Sequence, residues 1–195
     1  MIKVPGQHAV LNSLATIASA NYLGISKDII RKSLGEYLGI YRRFEKKQLA
    51  PEVLLIDDYG HTPKEIQVVI STIKNTYRPY LITICCLKQF HRTKRLLNEF
   101  AEIIAQSDAS IIMPIVKGLG DDEQSIIAIN QEEVAYAIRL KNALAFHYDT
   151  ASAAVQKIQQ LVQDYQGNSS IVILIIGSGE TSEIRAELIK AFHKS

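Results

Sequence analysis

Apolar positions along this chain follow two different periods. In the first forty residues Val10, Leu14, Ile17 and Ala18 recur at helical spacing, Gly24 falls where a helix would stop, and Ser26 suits the cap of a second helix carrying Ile29, Ile30, Leu34 and Leu38. This predicts a helix pair. From Val53 onward, apolar runs of strand length alternate with amphipathic stretches, with turn residues between them. The predicted strands are Val53 to Asp57, Tyr80 to Cys86, Ala109 to Met113, Ala143 to Tyr148 and Ser170 to Ile176, with "SIIAI" at Ser125 a further candidate. Helices are predicted near 63–76, 94–106, 131–140, 151–165 and 181–193. Thr62 with Glu65 and Asn130 with Glu133 have capping-box spacing, and Pro63 sits in a first helical turn.

Alternation of this kind predicts an α/β fold, a mostly parallel sheet of about six strands with helices on both faces, because parallel neighbours need a crossover and the helix supplies it. Ligands of such sheets bind beyond the carboxyl ends of the strands. Three segments fall on that edge: Asp57, Asp58 and His61 in "LLIDDYGHTPKEI", the run "KQFHRT" from Lys88, and "GSGE" after the last strand.

Composition narrows the function without naming it. With 47% apolar residues in 195, the chain can bury a real core. Lys and Arg number 22 against 20 Asp and Glu, a balance that predicts neither nucleic acid nor a membrane as main partner. Cys85 and Cys86 are adjacent in an apolar run and read as buried thiols. The N-terminal residues lack a basic segment followed by an apolar stretch, and "IVILII" from Ile171 is too short to span a bilayer, so a cytoplasmic setting is expected.

Each candidate segment admits a plain reading beside a functional one. Asp57 and Asp58 suit a divalent ion, a ribose hydroxyl, or simply the end of a strand. No second His or Cys stands near His61 at ligand spacing, so no metal site is assigned. "KQFHRTKR" is either a solvated basic loop or an anion site at a helix start. "IGSGET" lacks the third glycine of a dinucleotide fingerprint and reads as a tight turn, and no phosphate-cradling P-loop pattern occurs. "KGLGDDEQ" from Lys117 reads as a flexible loop, "YRRFE" from Tyr41 as a basic linker or hinge, and His147 and His193 as structural or surface residues.

Taken in order, "VPGQHAVLNSLATIASA", "LGIYRRFE", "IDDYGHTPKEI" and "GSGE" resemble the second half of the Mur ligases, over nearly the whole chain. The resemblance implies residues 1–45 as the helix pair that ends the central ATP-binding domain plus the hinge, and residues 46–195 as the C-terminal, Rossmann-like domain. It implies an ATP-dependent, amide-forming ligase of peptidoglycan precursor synthesis, in which a substrate carboxylate becomes an acyl phosphate and an amine attacks it. UDP-N-acetylmuramate and an amino acid (L-alanine in the most similar members) are the implied substrates. ATP and Mg2+ are held mostly by the central domain. That domain's P-loop part and the UDP-sugar domain are then the missing partners, and the chain alone is expected to be inactive.

Roles carry over where residues agree. His8 and Asn12 match the adenine-contacting helix, with Ala9 in place of its first Asn; Arg43 matches a hinge arginine that reaches the nucleotide phosphates, and Asp58 an acid that holds the ribose. His61 matches a histidine facing the substrates, with Thr62 where a second His is usual. The family's His-Arg-aromatic-x-Arg-Thr loop reads here Lys88, Gln89, Phe90, His91, Arg92 and Thr93. Catalysis falls to His61 and Arg92, and substrate binding to His61, Lys88, Arg92 and Thr93. An ammonium does not clamp two oxygens as a guanidinium does, so the Lys88 and Gln89 exchanges leave the substrate open. They also leave open a non-catalytic binding module derived from such a ligase, or a ligase for another amino acid or peptide. A phospho-acceptor receiver is disfavoured, since Met113 and Pro114 stand where its acceptor Asp belongs.

Overall fold

The structure, a computed structural model, describes residues 7–37 and 39–192, without the side chains of Gln7 and His8. It divides into two compact units, Met1–Glu45 and Lys46–Ser195. The first holds the expected helix pair, α1 (Gln7–Tyr22) and α2 (Lys27–Glu36). Gly24 turns between them at φ 76°, and the Ser26 hydroxyl caps α2 by accepting from the Ile29 N–H. Leu38 lies outside the described residues. Little of the pair's apolar surface is covered. Ala9 and Ile30 are buried, whereas Val10, Leu11 and Leu14 on α1 are 50%, 57% and 56% exposed. Past α2 the non-glycine residues Arg42 and Phe44 adopt positive φ, 54° and 53°, so Arg43 sits between two residues in a backbone region that L side chains rarely enter.

The second unit is built on one six-stranded sheet. Its strands are β1 (Glu45–Ala50), β2 (Val53–Asp58), β3 (Tyr80–Cys85), β4 (Ala109–Ile112), β5 (Leu144–His147) and β6 (Ile171–Ile176), in the spatial order β1-β2-β6-β3-β4-β5. Parallel pairing joins β2 to β6, β6 to β3, β3 to β4 and β4 to β5. β1 reaches its neighbour β2 through Pro51 and Glu52 alone, a connection only antiparallel strands can use.

Two expectations about the elements need correction. The sixth strand is β1, not "SIIAI", which lies largely in the short helix α6 (Glu123–Ile127). The cause is local: the Asp122 carboxylate accepts from both the N–H and the hydroxyl of Ser125 and so caps a helix start. In β1, "EKKQLA", only Leu49 is buried, so the apolar signal is a single residue; its lysines blunt an exposed sheet edge. The helix expected near 94–106 is instead α4 (Phe90–Arg95) and α5 (Leu97–Ile104), broken at Leu96. The remaining helices fall where the periodicity places them: α3 (Pro63–Tyr77), α7 (Gln131–Arg139), α8 (Ala151–Asp164) and α9 (Ser182–Phe192), with His193 outside the described residues.

Side chains alternate across the sheet and divide the core in two. Leu55, Ile82, Ile84, Ile111, Ile173 and Ile175 pack with Val155 and Ile158 of α8 and Ile184 and Leu188 of α9. The strand residues of opposite parity, such as Ile56, Leu81, Ile112 and Leu174, are equally buried on the other face, which α3, α5 and α7 cover. Ile66, Ile70 and Ile73 of α3 are fully buried there, at the i, i+4, i+7 spacing that aims one helical stripe at a sheet.

Candidate functional site

The strand order brings three chain segments to one stretch of rim. β6 lies between β2 and β3, so Asp58, Ile176 and Cys85 stand side by side in register, and the loops that follow leave from adjacent positions. The glycine turn after β6 is pressed onto the end of β3. Gly177 has φ 128°, and a Cβ there would lie 2.1 Å from the Cys86 carbonyl oxygen. The Gly179 N–H donates to that same oxygen at 2.8 Å. "GSG" is thus the tight turn its sequence predicts, and only glycine fits at its first and third positions. Both thiols beneath are buried, and burial pushes the Cys85 thiol far up, as expected of inert cysteines.

The adjacent acids of β2 do different work. Asp57 is buried and accepts from Arg185 Nη1 of α9 at 3.0 Å, an ion pair that fastens α9 to the sheet. Asp58 turns to the rim, where its Oδ1 accepts from the Gly60 N–H at 2.7 Å. A Cβ on Gly60 would come within 3.0 Å of that oxygen, so the glycine leaves room for the turn. Beyond it, Thr62 and Glu65 form the predicted capping box. The Glu65 carboxylate also accepts from the His61 N–H at 2.8 Å and lies 3.3 Å from His61 Nδ1, while the Tyr59 ring meets the imidazole edge-on. Burial would raise the Glu65 carboxyl; the backbone N–H groups of His61 and Thr62 and the nearby imidazole outweigh it and hold the group below its usual range.

The "KQFHRT" segment is organised by one residue outside it. Asp121 is buried, and its carboxylate accepts from the N–H groups of Phe90, His91 and Gly118 and from His91 Nδ1, the last at 2.6 Å. The helix-start N–H groups that appeared open to an anion are therefore filled by a carboxylate of the chain itself. "KGLGDDEQ" is correspondingly an anchored loop and not a loose one. Burial acts to raise the Asp121 carboxyl, but the donors from Gly118, His91 and Phe90 together hold it well below the usual carboxylate range. Gln89 sits at φ 73° and donates from its side chain to the Leu119 carbonyl, so it secures the same loop. Lys88 pairs by its backbone with Val116, leaving its side chain partly exposed. Thr93 is fully buried and its hydroxyl donates to the Gln89 carbonyl, a supporting contact that turns it away from solvent.

Arg92 sits at the centre of this arrangement. Its Nη2 donates to the Lys88 carbonyl at 2.8 Å, and its Nε is buried with no acceptor among the described residues. Burial lowers its proton affinity, and the charges of Glu65 and Asp121, with Tyr59, oppose that shift. Arg92 therefore lies within the field of the carboxylates that hold His61 and His91. The rim carries an alternating series: His61, Glu65, Arg92, Asp121, His91. An orphaned guanidinium N–H is costly to bury, and the accessible part of the half-buried side chain is what an incoming anion would meet.

The other expected residues lie in the first unit. Asn12 is exposed on α1, Arg43 lies between the two positive-φ residues, and the His8 side chain is outside the described residues. Among the described residues no three His, Cys, Asp or Glu gather as a metal site. Reading the sequence missed Asp121, Arg185 and the second role of Glu65. Glu65 had a local signal, its capping spacing; Asp121's histidine lies 30 residues away and Arg185's aspartate 128.

Comparison with known proteins adds to this geometry. The family described as "Mur ligase, glutamate ligase domain" matches residues 42–179. The chain is 30% identical over 190 residues to a UDP-N-acetylmuramate--L-alanine ligase of Koribacter versatilis (97% of this chain, 39% of the relative). It is 33% identical over 193 residues to that of Vesicomyosocius okutanii (95% and 39%). It thus spans about two fifths of the length of these relatives. Solved structures share the fold: MurC of Thermotoga maritima (TM-score 0.72, 23% identity, 100% of this chain and 40% of that one) and MurF of Acinetobacter baumannii (TM-score 0.74, 19% identity, 97% and 39%).

Proposed function

This chain belongs to the Mur ligase family, in its glutamate ligase domain, and from that premise we propose that it is the C-terminal part of an ATP-dependent, amide-forming ligase of peptidoglycan precursor synthesis. Its substrates on this reading are UDP-N-acetylmuramate and an amino acid, L-alanine being the one named in its relatives. The ligase works in the cytoplasm; among the described residues no helix is long and apolar enough to cross a membrane. The P-loop and the UDP-sugar domain belong to polypeptide outside this chain. The observation that carries the reading is Arg92, a guanidinium at the rim of the sheet whose buried Nε–H has no acceptor among the described residues, flanked by two imidazole–carboxylate pairs.

Each unit carries residues whose chemistry fits a nucleotide, and the rim of the second unit fits an anionic intermediate as one wall of a site. Asp58, fixed at the end of β2 by its turn with Gly60, suits a ribose hydroxyl; Arg43 and Asn12 have the charge and amide chemistry for phosphate and adenine. ATP supplies the phosphoryl group that activates the substrate carboxylate, and Mg2+ is assigned to the segment outside this chain. Arg92 opposes the negative charge that builds on oxygen as the acyl phosphate forms and as it is attacked. Lys88 adds a mobile point charge beside it. His61, set by Glu65 and Tyr59, faces the same oxygens, and Thr93 supports the loop that carries Arg92. These contributions are positional and electrostatic, so they act only when the second wall is present.

The test is calorimetry and amide formation with UDP-N-acetylmuramate, L-alanine and ATP, for this chain alone and with the P-loop-bearing segment added. The expected result is no product from the chain alone and product with the added segment. Amide made by the chain alone would overturn the division of labour. Substrate binding without product in the assembled pair would favour a non-catalytic binding module, a reading consistent with Gln89 being committed to the Leu119 carbonyl.

A further inference from the structure

We propose that His91, oriented by Asp121, is the proton acceptor for the incoming amine. The inference rests on the ligase reading and adds a residue at the motif's variable position, next to Arg92. His91 Nδ1 lies 2.6 Å from Asp121 Oδ1, and the same carboxylate takes the backbone N–H of His91 itself, so ring and backbone are fixed by one buried acid. An ionised carboxylate only accepts hydrogen bonds, so Nδ1 carries the ring hydrogen. Nε2 of the neutral ring is then a lone pair, and the imidazole is 41% exposed. Anchoring the loop does not need it, because Asp121 is already held by the Phe90, His91 and Gly118 N–H groups and Gln89 ties Leu119. A histidine whose far nitrogen faces outward, held by a buried acid, is the arrangement expected of a general base.

The chemistry balances without another reagent. An amino acid arrives as an ammonium and gives one proton to Nε2, becoming a neutral amine. The amine lone pair attacks the acyl carbon, the C–N bond forms, and the C–O bond to phosphate breaks with its electron pair leaving on phosphate. The attacking nitrogen sheds a second proton to the departing phosphate, and the imidazolium returns its proton to water. Asp121 is a positioning residue in this scheme.

The experiment uses the chain assembled with its P-loop-bearing segment and compares wild type with His91→Asn, whose amide nitrogen can still donate to Asp121. Two nucleophiles are supplied, the amino acid and hydroxylamine, a weakly basic amine already unprotonated at neutral pH. With the amino acid, His91→Asn should lose about 10²–10⁴-fold in rate. With hydroxylamine it should match wild type, and thermal stability should be unchanged. Wild-type rates with both nucleophiles would overturn the proposal while leaving the ligase reading intact. Loss with both would make His91 a structural residue and overturn it as well. A wild-type assembly silent with both would fell the ligase reading, and this proposal with it.

Discussion

Helices α1 and α3 both carry apolar residues at helical spacing, and these meet opposite fates. Ile66, Ile70 and Ile73 of α3 are fully buried, whereas Val10, Leu11 and Leu14 of α1 are at least half exposed. The difference lies in what each helix has to pack on. α3 lies on a sheet made by this chain; among the described residues of its own unit, α1 has only α2 to pack on. An apolar stripe specifies that a helix will be covered without specifying by what. The second unit thus owns its stability, and the first keeps a surface that suits further polypeptide, as the reading of a partial ligase requires.

The largest expected effect breaks the second unit. Asp57→Ala removes the buried carboxylate to which Arg185 donates, and should cost about 3–5 kcal/mol in urea unfolding of that unit. Next, paired truncations put numbers on the contrast. Ile70→Ala should cost about 2–5 kcal/mol, while Leu14→Ala in the isolated chain should stay within about 0.5 kcal/mol. A large Leu14→Ala cost in the isolated chain would mean that α1 is already covered and the comparison is wrong.

A smaller effect probes the rim. Asp121→Asn should cost about 1–3 kcal/mol at neutral pH. Because the folded state holds the Asp121 carboxyl below its usual range, the unfolded chain binds more protons near pH 4, so stability there rises with pH. The Asp121 contribution is complete above about pH 4 and is lost as acid is added below it. Urea midpoints measured across that interval should fall more steeply for wild type than for the variant.

The sequence was legible where structure is local. Thr62, Pro63 and Glu65 announce the start of α3 within four positions, and the long apolar strands need no partner to be recognised. β1 escaped because a polar hexapeptide becomes a strand only by pairing with β2. Asp121 escaped because its neighbours are those of a turn, while the donors that define it stand at Phe90 and His91. The strand-end rule did bring Asp58, His61 and Arg92 to one rim, since it depends only on strands being parallel. What occupied the anion-binding positions at the start of α4 depended on a long-range contact, and no spacing could reveal it.

The central claim is that Arg92 is half of a ligase site, and the most direct measurement is ATP-dependent amide formation by the assembled pair, wild type against Arg92→Lys. The account predicts a fall of about 10²–10³-fold with folding unchanged, because an ammonium keeps the charge and loses the planar donors. Amide formed by Arg92→Lys at the wild-type rate would contradict it.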